Sequence, residues 1–300
     1  MRLRTIAILS PGDMGSGVGG ALAGRGLDVV TCLAGRGEET RARAARSGFR
    51  ALRDLDSLVS ESDLVLSILP PEAAPGVARD VAAAMGRTGR TPPYADCNAV
   101  SPETTRAIGR TLGAAGAEFI DGGIVGAAPG KSDRPTRIYV SGPGAEVMAE
   151  LDGNGIDLRV CGAEIGRASA LKMCYAAVSK GTNTLHTAAL LAAEALGVGE
   201  TLREEFAYSM PAAYQRMRAM VPRLPADAAR WIREMEEIAE TFESVGVTPR
   251  FHLGARDVFA LLAATPFAAE TRETLDQSRT LEQSLEVYLA HLPDRDAAAE

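Results

Sequence analysis

Between residue 5 and about residue 160, short β-branched runs alternate with Ala- and Arg-rich stretches. The runs Thr5–Leu9, Asp28–Cys32, Leu64–Ile68, Tyr94–Asn98, Glu118–Asp121, Ile138–Ser141 and Leu158–Val160 predict strands. Strand and helix in alternation is the pattern of a parallel sheet covered by helices. Beyond about residue 165 the strand-like runs stop, and long periodic segments, Ala168–Leu196 and Ala226–Val245, take over. The pattern therefore predicts an α/β fold, a doubly wound sheet over residues 1–163 followed by an all-helical domain over 164–300. On the second long helix, Trp231, Met235, Ile238, Phe242 and Val245 recur at helical spacing and are expected in the core, with Glu236, Glu240 and Glu243 on a solvated face. The Pro-rich stretch Met220–Pro225 should break the helices, and the acidic tail Asp294–Glu300 is expected to be disordered.

Composition narrows the classes. A chain of 300 residues is the right length for two cores, and 46% hydrophobic with 24% charged residues is ordinary for a water-facing globular protein. No apolar run approaches the ~18–20 residues that span a bilayer. The net charge of −7 argues against nucleic acid or an anionic membrane as partner, since both require a basic face. The N-terminal stretch has no small-residue cleavage site, so a cytoplasmic location is expected. Cys32, Cys97, Cys161 and Cys174 lack metal or redox spacing and are read as buried free thiols, with no metal implied.

The first predicted strand runs into Ser10-Pro11-Gly12-Asp13-Met14-Gly15 and then a small-residue helix. Glycines at such a turn let the backbone approach a pyrophosphate, which the free N–H groups of the next helix stabilise. Gly12 and Gly15 stand at the second and third glycines of a GxGxxG turn, while Ser10 occupies the first position. The sheet is thus read as a Rossmann-type dinucleotide-binding domain, with Gly12, Asp13, Met14 and Gly15 at the cofactor. After the second strand no carboxylate appears until Glu38, whereas Arg36, with Arg41 behind it, is placed to meet a ribose 2′-phosphate. NADP is the cofactor expected, ahead of NAD.

The helix Ala168–Leu196, rich in Ala, Leu, Met and Val, carries a polar stripe of Lys172, Tyr175, Ser179, Asn183 and His186. Such a stripe is either wet or lines a site. Lys172 is the candidate general acid/base, because an amine near a cationic nicotinamide and partly buried is brought toward working pH. Tyr175, or a water held by Asn183, is the next candidate for the proton. Ser179 is a candidate substrate contact. Lys180, beside the stripe, is read either as a ligand for an anionic substrate group or as a solvated lysine. His186 lies too far along the helix to join Lys172.

These motifs resemble the β-hydroxyacid dehydrogenase family, which includes 3-hydroxyisobutyrate and 6-phosphogluconate dehydrogenases and has imine-reducing relatives. The resemblance rests on Pro11–Gly15, Ser67-Ile68-Leu69-Pro70-Pro71, Asp96–Pro102 and the lysine-bearing Gly166–Lys172, and in the second half on Trp231–Glu237 and Thr265-Pro266-Phe267. It implies that Leu69, Pro70 and Asn98 lie at the cofactor, that Gly122, Gly123, Ile124 and Val125 form the substrate loop, and that Arg233 or Glu234 belongs to a polar pair near the substrate. Val125 stands where the family has a substrate-binding serine, and Ala176 where it has an asparagine. Three functions stay open: hydride transfer to or from a small polar carbonyl/hydroxyl substrate, imine or iminium reduction, and non-catalytic dinucleotide sensing. The apolar long helix, buried between subunits in the family, implies a homodimer.

Overall fold

The computed structural model describes residues 3–293; the Asp294–Glu300 tail, expected to be disordered, lies outside the described residues. The chain divides into two units, Met1–Tyr175 and Ala176–Glu300.

In the first unit, β1 (Thr5–Ile8), α1 (Asp13–Ala23), β2 (Asp28–Cys32), α2 (Glu38–Arg46), β3 (Arg50–Leu52), α3 (Leu55–Glu61), β4 (Leu64–Ser67), α4 (Ala74–Thr88), β5 (Tyr94–Asp96), α5 (Pro102–Ala114), β6 (Phe119–Val125), β7 (Thr136–Ser141) and β8 (Ile156–Val160) follow one another. The eight strands order as β3-β2-β1-β4-β5-β6-β7-β8, all neighbours parallel except the β6–β7 pair. Ile6, Ile8, Leu64 and Leu66 feed the core on one face, and Ala7 and Val65 the core on the other. That double burial is why the central strands read as continuous apolar runs. The strand order reverses between β1 and β4, which puts a ligand crevice at their carboxyl ends.

Two strands differ from the sequence reading. β3 was not expected: Arg50-Ala51-Leu52 has no apolar run, because it is an edge strand held by backbone pairing with β2. β6 continues through Val125 and buries all seven of its residues, so Gly122–Val125 belong to a strand and not to a loop.

Helix α6 (Arg167–Ala195) runs from the first unit into the second. In the second unit follow α7 (Gly199–Ser209), α8 (Pro211–Met220), α9 (Pro225–Glu243), α10 (Arg250–Ala263) and α11 (Leu281–Leu289), with a 3-10 turn at Val221–Arg223 where the prolines interrupt the helices. On α9, Met235 and Ile238 are fully buried, and Trp231 meets Phe259 of α10 edge-on at 5.2 Å. Phe242 packs edge-on against the His252 ring at 4.4 Å. Val245 is instead 73% exposed, because α9 ends at Glu243 and the chain turns at Gly246 with φ +77°. Of the cysteines only Cys97 is buried. Cys32 and Cys161 are half-buried and Cys174, on α6, is exposed.

Candidate active site

Gly12 enters α1 in an extended conformation, and no side chain caps the helix. Its first-turn N–H groups therefore remain for an anion. A Cβ at Gly15 would collide with the Ser10 carbonyl oxygen, so the strand-to-helix turn closes only with glycine there. At Gly12 nothing stands within 4 Å of where a Cβ would be, and the backbone is open to a close-lying group. Met14 packs toward the sheet core while Asp13 is exposed. One turn further on, Gly17 lets α1 rest on the segment after β6, where a Cβ would come 2.8 Å from Ala128 Cβ. These features fit a bound dinucleotide diphosphate.

Past β2, Gly35 at φ +70° turns the chain and Arg36 is exposed. The Arg41 Nε donates to the Arg36 carbonyl at 3.0 Å, which ties the turn to α2.

Asn98, 2% exposed, joins the carboxyl ends of β4 and β5. Its Nδ2 donates to Ser67 Oγ (2.9 Å) and Asp96 Oδ2 (3.0 Å), and its Oδ1 accepts from the Leu69 N–H at 2.5 Å. Both amide protons are committed within the protein, and the side chain holds the Leu69 backbone at the end of β4. Ser101 then caps α5 by accepting from Thr104 N–H, with Pro102 in the first turn.

Lys172 sits in the second turn of α6, half-buried against β6. A Cβ at Gly123 would stand 2.7 Å from the Ala168 carbonyl oxygen and 2.9 Å from Lys172 Cβ; only glycine lets helix and strand meet this closely. The residues before α6, Ile165 and Gly166, carry no capping side chain. The cap comes from Asp121, fully buried on β6, whose carboxylate accepts from the Gly166, Ala168 and Ser169 N–H groups and from the Ser141 and Ser169 hydroxyls. In the sequence Asp121 shows only as the end of a predicted strand; a helix start with no local cap is the signal that could have found it. The neighbouring Cys97 thiol is pushed well above its ordinary pKa by burial, then by Asp96 and Asp121, so it is a packing group and not a nucleophile. Gly122 presses on it, with a would-be Cβ 2.6 Å from its Sγ. Ile124 and Val125 are buried and Tyr175 is 48% exposed.

Ser179, Lys180 and Asn183 lie in the second unit. Ser179 Oγ reaches its own helix, at 3.4 Å from the Ala176 carbonyl. Lys180 is not a solvated lysine: its Nζ lies 2.5 Å from Glu234 Oε1 and 5.4 Å from the Trp231 ring centre. Asn183 is buried and its Oδ1 accepts from Arg216 at 3.4 Å. Arg233 pairs with Glu236 and Glu237.

Both halves of the chain are similar to known protein domains. Residues 5–151 match the NAD binding domain of 6-phosphogluconate dehydrogenase, and residues 193–262 match a domain of unknown function, DUF1932. An uncharacterised protein of Methanothermus fervidus is 30% identical over 59% of this chain and 66% of its own length. The mitochondrial 3-hydroxyisobutyrate dehydrogenase of Drosophila melanogaster is 29% identical over 43% of this chain and 40% of its own. A solved protein of unknown function, described as structurally similar to 3-hydroxyacid dehydrogenases, is 28% identical over 86% of this chain and 96% of its own, with TM-score 0.64. An imine reductase of Myxococcus stipitatus, solved with NADP+, shares the fold at 17% identity over 86% of this chain and 92% of its own, with TM-score 0.55. The two domain matches, together with these relatives, support the β-hydroxyacid dehydrogenase family with a helical C-terminal region. Among the described residues no helix is long and apolar enough to cross a membrane.

Proposed function

We propose that this protein is an NADP(H)-dependent oxidoreductase that interconverts a small polar carbonyl and its alcohol, with Lys172 as the general acid/base. The observation that carries the reading is the seat of Lys172 on Gly123, at the start of a helix that a buried carboxylate fixes to the sheet. Such fixation suits a proton-transfer group, whose effect depends on its placement. The dinucleotide supplies or accepts the hydride. The chain's own residues do the rest: the Gly12–Gly15 turn and the α1 N-terminus take the diphosphate, Asn98 holds Leu69 and Pro70 beside it, and Arg36 meets the 2′-phosphate. Lys172 Nζ gives its proton to the oxygen that becomes the alcohol, or removes it in the reverse direction. A non-catalytic sensor needs no such amine.

Imine reduction is the second reading, and Val125 favours it: an apolar side chain, 2% exposed, stands where the family's hydroxyl would hold a substrate carboxylate. Turnover of NADPH with a panel of aldehydes, keto acids and cyclic imines, by the wild type and Lys172→Ala, tests both. General acid–base contributions are about 10²–10⁴-fold, so the variant should lose at least about a hundredfold in kcat while NADPH affinity holds within a few-fold. Undiminished turnover would place the proton donor elsewhere, with Tyr175 or a water held by Asn183 as the next candidates. We further read the protein as cytoplasmic and homodimeric, with the cofactor-binding domain at 1–163 and the helical domain at 164–300.

A further inference from the structure

We propose that Asp121 is the positioning residue for Lys172, the clamp that registers the lysine's helix to the sheet; the proposal rests on the reading of Lys172 as the proton-transfer group. Removing a lone carboxylate from water costs several kcal/mol, so a fully buried one persists only where its surroundings replace that water. At Asp121 the replacement is a set of donors on the start of α6. Oδ2 accepts from Gly166 N–H at 2.8 Å and Ala168 N–H at 2.9 Å, and Oδ1 from the Ser169 hydroxyl at 2.5 Å. Ser169 N–H lies 3.2 Å from both oxygens, and the Ser141 hydroxyl of β7 adds a bond of 2.8 Å. The positive end of the helix dipole stabilises the same charge.

Two details separate this clamp from an ordinary helix cap. A local cap would tie α6 to the loop before it, whereas Asp121 ties it to β6. Gly123 is two residues further along that strand and therefore on the same face, so one strand face supplies both the clamp and the seat. Ser169 lies one turn before Lys172, and its hydroxyl also meets Thr105 of α5 at 2.7 Å, so the turn below the lysine is held from two elements. Asp121 fixes where α6 begins and Gly123 how closely it approaches; together they set the origin from which the Lys172 side chain extends.

The chain contains only three lysines, Lys131, Lys172 and Lys180, so each is its own reporter. Acetylation at limiting anhydride, read by peptide mass spectrometry in the intact protein, gives the Lys172:Lys131 labelling ratio without any substrate. In Asp121→Asn an amide N–H faces backbone N–H donors and the helix start loosens; Ser169→Ala removes one hydroxyl and serves should the first variant fail to fold. The expected result is a Lys172:Lys131 ratio changed by about threefold or more, with Lys180:Lys131 and NADPH affinity unchanged. On a substrate found by the panel, kcat should fall about tenfold or more at nearly constant KM, since small misplacement of a reacting group is costly. A labelling ratio within about twofold of wild type in every variant that folds would overturn the proposal. Failure of the catalytic reading is separate: it would appear as full turnover in Lys172→Ala, and leaves the labelling result to decide whether Asp121 positions the lysine.

Discussion

Lys180 Nζ lies 2.5 Å from Glu234 Oε1, and the two side chains are only 12% and 8% exposed. A lysine that shows in the sequence as a neighbour of the polar stripe is thus part of the interior of the helical unit. Its ammonium also faces Trp231, the aromatic that α9 packs on Phe259.

Breaking such a pair from one side costs more than the pair itself contributes, because the remaining charge stays desolvated. Lys180→Met should therefore destabilise the helical unit by about 3 kcal/mol, and Lys180→Met with Glu234→Leu should recover most of that loss. Urea denaturation followed by Trp231 fluorescence reads this directly, since the chain has a single tryptophan. If Lys180→Met keeps its stability but raises KM for anionic substrates, the lysine serves a ligand instead.

Under the NADP(H) reading, cofactor preference turns on Arg36. A charge-assisted hydrogen bond to a phosphate contributes about 1.5–3 kcal/mol, so Arg36→Ala should weaken NADPH by roughly ten- to a hundredfold. NADH, which lacks the 2′-phosphate, should change by less than about threefold on the same argument. Fluorescence titration with both reduced cofactors gives the answer; equal weakening of the two would remove the 2′-phosphate from the Arg36 side chain.

The parts of the fold that the sequence made legible are those where one short segment carries its own signal. Among the described residues seven of the eight strands appear as short β-branched or apolar runs, the central ones because they are buried on both faces, and the Gly12–Gly15 turn appears because Gly15 admits no Cβ. Edge strand β3 left no such mark, since backbone pairing asks little of Arg50 and Ala51. Within the candidate site, Lys172 was legible from its place on a polar stripe. Asp121 was not, because its partners Ser141, Gly166, Ala168 and Ser169 are 20 to 48 residues away and meet it only once β6, β7 and α6 are folded together. The fate of Lys180 was hidden for the same reason: Glu234 is 54 positions distant.

The helical unit carries an exposed apolar face. On α6, Val178 and Leu185 are 70% and 69% exposed, and Phe251 at the start of α10 is 78% exposed. Phe251 and Leu185 line one groove with Ala188, Ala255 and Val258. Contiguous exposed apolar surface of this kind marks an interface in water-facing proteins. Under the homodimer reading, Leu185→Asp or Phe251→Asp should shift the mass measured by light scattering toward a single chain of 31.4 kDa. A wild type already at that mass at micromolar concentration would refute the dimer.

Acid sensitivity should come in part from His252. Burial pushes its pKa below the ordinary value of 6.5; the side chain packs on Phe242, and its buried Nδ1 has no hydrogen-bond partner. In the unfolded chain the same imidazole takes a proton as pH falls through about 6.5, while the folded protein resists that proton. The unfolded state then binds more protons than the folded one, and stability rises with pH across this range. The contribution is therefore complete above pH 6.5 and is lost as pH drops through that value toward the depressed folded pKa. His186, whose pKa is lowered by burial and then by the Arg216 charge, acts in the same direction. The chain has only three histidines, so the effect is separable by substitution. Unfolding midpoints measured from pH 7.5 to 5 should fall less steeply in His252→Leu than in the wild type, and less steeply again in His186→Leu combined with His252→Leu. Slopes that coincide in all three proteins would show that these imidazoles are as readily protonated in the folded chain as in the unfolded one.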